Sequence, residues 1–118
     1  MNIYIICPVR GLKPSQEIDI REYIMELEEN AHSVHSWLNV NQTTKAYNIA
    51  MAHLEAMKKC DEVHIFWESS SGGSHVDLGM AMAFYKPIKL IKLFSKETKK
   101  KSYLDVIKRI EVVGYQHA

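Results

Sequence analysis

Apolar and polar positions along the chain fall into blocks of two periods. Ile3 to Cys7 is an unbroken apolar run closed by Pro8, the pattern of a strand buried on both faces. Ile20, Tyr23, Ile24, Leu27 and Ala31 then recur at three- and four-residue spacing. They mark one face of a helix from about Ser15 to Ala31, with Ser15 as its cap and Glu17 and Asp19 in an acidic first turn. Ser33 to Val40, through Val34, Trp37 and Leu38, reads as a second strand. A second helix, capped by Thr43 or Thr44, carries the stripe Tyr47, Ala50, Met51, Leu54 and Met57. Glu62 to Trp67 is the third strand, and Glu68 to Ser74 is a polar loop. A third helix is predicted after Ser74, with Val76, Met80, Ala83 and Phe84 apolar and with Gly79 and Ala81 small enough for close packing. Lys86-Pro87 breaks it, and Ile88 to Leu93 forms the fourth strand. Tyr103 to Glu111 suits a last helix with Leu104, Ile107 and Ile110 inward, and Val112-Val113 is read as a short edge strand.

Strands alternating with helical crossovers call for a parallel sheet covered by helices on both faces. The predicted fold is α/β: a three-layer, flavodoxin- or Rossmann-like arrangement with four to five parallel strands. No linker or internal repeat interrupts residues 1–118, which read as one domain. Ligands in such sheets bind outside the carboxyl ends of the strands. Pro8 to Lys13, Asn39 to Thr43 and Glu68 to His75 are therefore expected around one crevice.

Composition narrows the chemistry. The chain has 15 Lys plus Arg against 14 Asp plus Glu, a net charge of +1. That balance gives no argument for a nucleic acid polymer or an anionic membrane as partner. The apolar runs are too short for a membrane span, and Met1-Asn2-Ile3-Tyr4 does not open a signal peptide, so a cytoplasmic protein is expected. Cys7 and Cys60 lack metal-ligand spacing and read as reduced, largely buried thiols. His32, His35, His53, His75 and His117 show no metal-ligand spacing either, so neither metal nor cofactor is expected. Ser95 to Lys101 reads as a solvated basic loop.

The segment Glu68-Ser69-Ser70-Ser71-Gly72-Gly73-Ser74 is the most informative. Its glycines admit a ligand close to the backbone, its serines and free N–H groups donate, and the following helix dipole favours an anion. A phosphate suits it, and so does an ordinary capped turn. Ser74-His75-Val76-Asp77 likewise matches a capping box, unless the Asp77 carboxylate turns into the crevice. Arg10, in the first crevice loop beside Gly11, has no core to fill and suits phosphate recognition. Tyr4 lies inside the first strand, where core packing explains it. His53 lies at the edge of the second helix's apolar stripe.

At these loops the sequence resembles the nucleoside 2-deoxyribosyltransferase superfamily, closest in motif to its 2′-deoxynucleoside 5′-phosphate N-hydrolase branch. Three segments carry the likeness: Tyr4-Ile5-Ile6-Cys7-Pro8-Val9-Arg10-Gly11, Ala56-Met57-Lys58-Lys59-Cys60-Asp61-Glu62-Val63, and Ser71-Gly72-Gly73-Ser74-His75-Val76-Asp77-Leu78-Gly79-Met80-Ala81 closing at Lys86-Pro87-Ile88. The resemblance implies that Tyr4 is an active-site tyrosine and that Arg10 contacts substrate. Ser71 and Gly73, with Gly72, Ser74 and His75 around them, fall where that branch holds a 5′-phosphate. Asp77 falls on the family's catalytic glutamate, and His53 falls where the family has an aspartate assisting the leaving base. Both are departures: Asp77 is one methylene shorter, and His53 is an imidazole in place of a carboxylate.

The leading expectation is cleavage of the N-glycosidic bond of a (deoxy)nucleoside 5′-monophosphate, by hydrolysis or base exchange. Asp77, Tyr4 and His53 would be the catalytic group, while Arg10, Gly11, Ser71, Gly72, Gly73, Ser74 and His75 would hold the substrate. The alternative is a non-catalytic nucleotide-binding module that keeps the phosphate cradle without the glutamate. A third is a small interaction domain with an incidental crevice. The resemblance also implies a homodimer or higher homo-oligomer, since family members complete their crevices with a neighbouring subunit. Tyr47, Met51 and Leu54 are a candidate contact that core packing explains equally well.

Overall fold

The computed structural model describes residues 1–95 and 102–115. The strands are β1 (Asn2–Ile6), β2 (Ser33–His35), β3 (Glu62–Trp67) and β4 (Ile88–Leu93), and the helices are α1 (Pro14–Glu29), α2 (Ala46–Lys59), α3 (Gly72–Ala83) and α4 (Tyr103–Val113). All strand pairs are parallel, in the order β2-β1-β3-β4. The winding reverses between β1 and β3, with β2 laid on one side and β4 on the other, which opens a crevice at the carboxyl ends of β1 and β3. The expected three-layer α/β architecture is present, with four strands.

Alternate residues of β1 and β3 serve the two faces of the sheet. Tyr4, Ile6, Val63, Ile65 and Trp67 meet Met57 of α2, Leu78 and Ala81 of α3, and Leu104 and Ile107 of α4. Ile3, Ile5, Cys7 and Phe66 meet Ile20 and Ile24 of α1 on the other side. A register shift at Ile65/Phe66 turns the outer part of β4 relative to β3. On the α1 face, His64 is buried and fully engaged. The Glu62 carboxylate accepts from its Nε2 at 2.9 Å, leaving Nδ1 to accept from the Tyr23 hydroxyl at 2.6 Å.

The helix termini depart from the sequence reading for local reasons. Pro14 presets the backbone at the first helical position, so α1 starts with Lys13 as its cap and takes Ser15 inside. The Gln16 side chain accepts from the Lys13 N–H at 3.1 Å. Thr43 and Thr44 do not cap α2, because their hydroxyls are spent on Asn41 at 2.6 and 2.9 Å. The second strand stops at His35, and Trp37–Asn39 is a 3-10 turn. Val112 and Val113 end α4 and form no edge strand. Ser95 is described, whereas positions 96–101 of the basic loop, together with His117, lie outside the described residues.

Two helix faces are also rotated from expectation. In α2 the expected Met57 is buried and Leu54 partly so, joined inward by Ile49, His53 and Ala56, while the expected Tyr47, Ala50 and Met51 are exposed. In α3 the inward positions are Ser74, Leu78 and Ala81, with Asp77 half-buried beside them. Val76, Ala83 and Phe84 face outward. Both helices have apolar residues on more than one side, so periodicity alone leaves the phase open. A Cβ at Gly79 would meet nothing, so close packing does not require that glycine. Lys86 fixes the end of α2 by donating to the Lys58 and Cys60 carbonyls at 2.9 and 2.8 Å.

Candidate functional site

The crevice at the carboxyl ends of β1 and β3 has a volume of about 530 Å³, within the range of ligand sites. The first wall is Cys7 to Arg10, which continues β1. The second runs from Ser70 to Gly73, with Asp77 behind them on α3. Ile49 and His53 of α2, with Gln42, close the third side. A groove of about 590 Å³ between α3 and α4 is larger; its walls include Met82, Val106, Ile110 and Tyr115, and its Asp105 and Arg109 are both exposed on α4, with no glycine-serine helix start among its lining.

The second wall is the N-terminus of α3, which begins three residues earlier than the sequence suggests. Ser71 is its cap: the Ser71 hydroxyl accepts from the Ser74 N–H at 3.3 Å and shares a 2.8 Å hydrogen bond with the Ser74 hydroxyl. This displaces the predicted Ser74–Asp77 capping box. Gly72 and Gly73 become the exposed first turn, and a Cβ at either would meet no protein atom. Their open N–H ends and the helix dipole face the crevice with Arg10 opposite, an arrangement suited to an anion.

Asp77 lies in the second turn of the same helix. Spacing from Ser74 and Ala81 puts it on the sheet-facing stripe, which is why its carboxylate is half-buried. Burial lifts its pKa from 3.8 to about 6, and the Tyr4 hydroxyl offsets part of that lift. Asp77 is thus mainly ionised at neutral pH but poised near it. Tyr4 itself is fully buried. Burial first, and the Asp77 charge second, push its pKa above the ordinary tyrosine range. The Tyr4 hydroxyl influences Asp77 without meeting hydrogen-bond geometry, so this donor remains unsatisfied under the crevice floor. Cys7, also on the floor, is pushed up to about 12 by burial and then by Asp77, and stays a neutral thiol.

Above Tyr4 lies a histidine pair that the sequence reading did not single out. His35 Nε2 and His53 Nδ1 are 3.0 Å apart, with ring centroids at 5.2 Å and near-perpendicular planes. Tyr4 contacts both rings, at 5.1 and 6.1 Å. Burial lowers His53, and burial followed by the neighbouring His53 lowers His35 to about 4. Both imidazoles are neutral at pH 7, so His53 does not keep the ordinary value near 6.5 that suits an imidazolium acid.

Of the predicted site residues, the fold brings Arg10, Ser71, Gly72, Gly73, His53 and Asp77 to the crevice wall, with Tyr4 beneath. Gly11, Ser74 and His75 do not line it. Gly11 adopts φ +72 and serves the loop's turn. Ser74 is buried against Ser71. His75 Nδ1 donates to the Ser71 carbonyl at 2.8 Å, and its ring lies against Trp67 and Tyr103. Pro8, Val9, Gln42, Ile49 and Ser70 join the wall without a chemical signature that sequence could supply. Among the described residues, no group of three or more His, Cys, Asp or Glu is placed to hold a metal ion. No described helix is long and apolar enough to cross a membrane.

No protein-family model matches the chain, and no curated protein matches it in sequence. Solved structures do match in fold. A CMP N-glycosidase from Clostridium botulinum superposes with a TM-score of 0.67 at 19% identity, over 97% of this chain and 83% of that one. A 2-deoxyribosyltransferase from Bacillus psychrosaccharolyticus gives 0.64 at 17%, over 90% of each. A conserved protein from Enterococcus faecalis V583 gives 0.65 at 13%, over 95% of this chain and 76% of that one. The likeness is one of architecture: this chain has the parallel α/β fold on which that CMP N-glycosidase and that 2-deoxyribosyltransferase are built.

Proposed function

We propose that the crevice binds a nucleoside 5′-monophosphate and breaks its N-glycosidic bond. The observation that carries this reading is the opposition of a half-buried, ionised Asp77 to an anion-binding helix start within one cavity. The phosphate sits on the Gly72–Gly73 turn and Arg10. The sugar then spans toward Asp77, and the base lies against His53 and Ile49. As the C1′–N bond breaks, its electron pair leaves with the base and positive charge develops on C1′ and the ring oxygen. The Asp77 carboxylate stabilises that charge. Water adds its oxygen to C1′, and one of its protons ends on the base, giving a sugar 5-phosphate and the free base. A second base in place of water gives transfer. Fold likeness to a CMP N-glycosidase supports a phosphorylated substrate, and likeness to a 2-deoxyribosyltransferase supports the transfer variant. The motif likeness to the 2′-deoxynucleoside 5′-phosphate N-hydrolase branch favours hydrolysis.

A second reading, a nucleotide-binding module without turnover, is favoured by one feature: Asp77 reaches less far than the glutamate it replaces. A homo-oligomer also belongs to the proposal, seated on the exposed Tyr47 and Met51; a monomer in sedimentation at micromolar concentration sinks that part. The deciding assay incubates the protein with ribo- and deoxyribonucleoside 5′-monophosphates and the free nucleosides, then measures released base by chromatography. Release from monophosphates in preference to nucleosides supports cleavage. No release, with the same compounds still raising the melting temperature, selects the binding module, and Asp77→Glu then tests whether turnover returns.

A further inference from the structure

We propose that His35 is a positioning residue that keeps the His53 proton on Nε2, aimed into the crevice as a hydrogen-bond donor to the bound base. This rests on the proposed cleavage only for its catalytic meaning; the protonation pattern itself is a property of the free protein. His35 is the last residue of β2 and pairs in register with Tyr4 of β1, so both side chains share the face that α2 covers. From there, His35 Nε2 meets His53 Nδ1 at 3.0 Å, and the Tyr4 ring flanks both imidazoles.

A single proton lies between the two nitrogens, and its owner fixes both rings. If His35 Nε2 donates, both rings are Nε2–H tautomers, and His53 presents an N–H to the crevice. If His53 Nδ1 donates, both rings are Nδ1–H tautomers, and His53 presents a bare acceptor. The first arrangement is selected because the Nε2–H form is the intrinsically preferred tautomer of a neutral histidine side chain, and that arrangement places it on both rings. The N–H it leaves outside the pair is that of His53, which lines the crevice. His53 Nδ1 is occupied in either case, so Nε2 is the nitrogen left for the crevice that His53 lines.

The consequence concerns the leaving base. Negative charge develops on it as the C1′–N bond breaks, and a neutral imidazole N–H stabilises that charge without first being protonated. The complementary substrate atoms are ring-edge acceptors beside the glycosidic nitrogen, O2 of a pyrimidine or N3 of a purine. The opposite tautomer would instead select an exocyclic amino group.

Long-range 1H–15N NMR of histidine-labelled protein at pH 7 reads the tautomer directly. The expected wild-type spectrum has His53 Nδ1 bare and Nε2 protonated. His35→Phe keeps a ring against Tyr4 but removes the donor, and it should shift His53 Nδ1 and admit the second tautomer. His35→Gln, which retains an N–H donor, should restore the wild-type pattern. In the base-release assay, His35→Phe should lower kcat by about ten- to a hundredfold, the range for a misplaced group at a reacting centre, with KM nearly unchanged. A wild-type His53 protonated on Nδ1, or a His35→Phe protein whose His53 signals and kcat equal wild type, would overturn the proposal. A protein with the expected tautomer that releases no base supports the assignment and retires only the cleavage reading.

Discussion

Replacing Asp77 by asparagine should stabilise the protein at neutral pH while removing its activity. The carboxyl is held at about 6 against an ordinary 3.8, so the folded state binds a proton more tightly than the unfolded chain does. The sign follows from linkage: a raised carboxylate pKa adds nothing below pH 3.8, where both states are protonated. It costs stability progressively as pH rises toward 6, and the full cost is present at pH 7. At 1.36 kcal/mol per pKa unit the cost is about 3 kcal/mol. For a chain of this size that corresponds to a rise of roughly 10 °C in Tm for Asp77→Asn at pH 7. The amide suits the site because its oxygen can accept from the unsatisfied Tyr4 hydroxyl. Thermal unfolding of both proteins at pH 7 and pH 3 is the assay, with a gap expected at pH 7 that closes at pH 3. A variant no more stable than wild type at pH 7, or a gap equally large at pH 3, would refute the reasoning about Asp77 burial.

Base release should fall on the acid side with a midpoint of about 6 as Asp77 protonates, while His35 titrates only near 4. A pH profile flat down to 5 would remove Asp77 from that role. Gly73→Ala should leave Tm unchanged or slightly raised, since its Cβ meets no protein atom, yet weaken monophosphate binding by occupying the cradle. Titration of a monophosphate into wild type and variant separates the two effects. Ala31→Gly should stabilise the fold by about 1 kcal/mol without touching activity, because Ala31, just past the Asn30 cap of α1, sits at φ 65 in the left-handed region. Chemical denaturation checks this far from the crevice.

The central strands β1 and β3 are legible because burial on both faces leaves mainly apolar runs, and the edge strand β4, interrupted by Lys89 and Lys92, also falls on its predicted residues. The second strand is shorter than its composition suggests for a local reason. Ser36 N–H donates to the Asn39 side chain at 2.8 Å, and the Ser36 hydroxyl accepts from Leu38 N–H at 3.2 Å. These bonds pull Trp37 and Leu38 into a turn despite their strand-like composition. Periodicity gives Met57 of the inward face of α2 but not its phase, because that face also contains His53 and Ala56 whereas the outward one contains Tyr47 and Met51. At the crevice, Arg10, the glycine turn and Asp77 were visible as loop chemistry following strands. The His35–His53 contact was not, since residues 18 positions apart meet only once β2 and α2 are laid over β1. The exclusion of His75 likewise depends on Trp67 and Tyr103, which the fold alone brings beside it.

Cleavage of the C1′–N bond at Asp77 can be watched by following the anomeric proton and the phosphorus signal of a nucleoside 5′-monophosphate by NMR, with wild-type and Asp77→Ala protein. With wild type, the nucleotide H1′ signal should disappear and a sugar 5-phosphate should grow with its phosphate ester intact, and both changes should be absent in the variant. An unchanged H1′ signal with wild type, or cleavage that proceeds equally with Asp77→Ala, would remove Asp77-driven cleavage from this crevice.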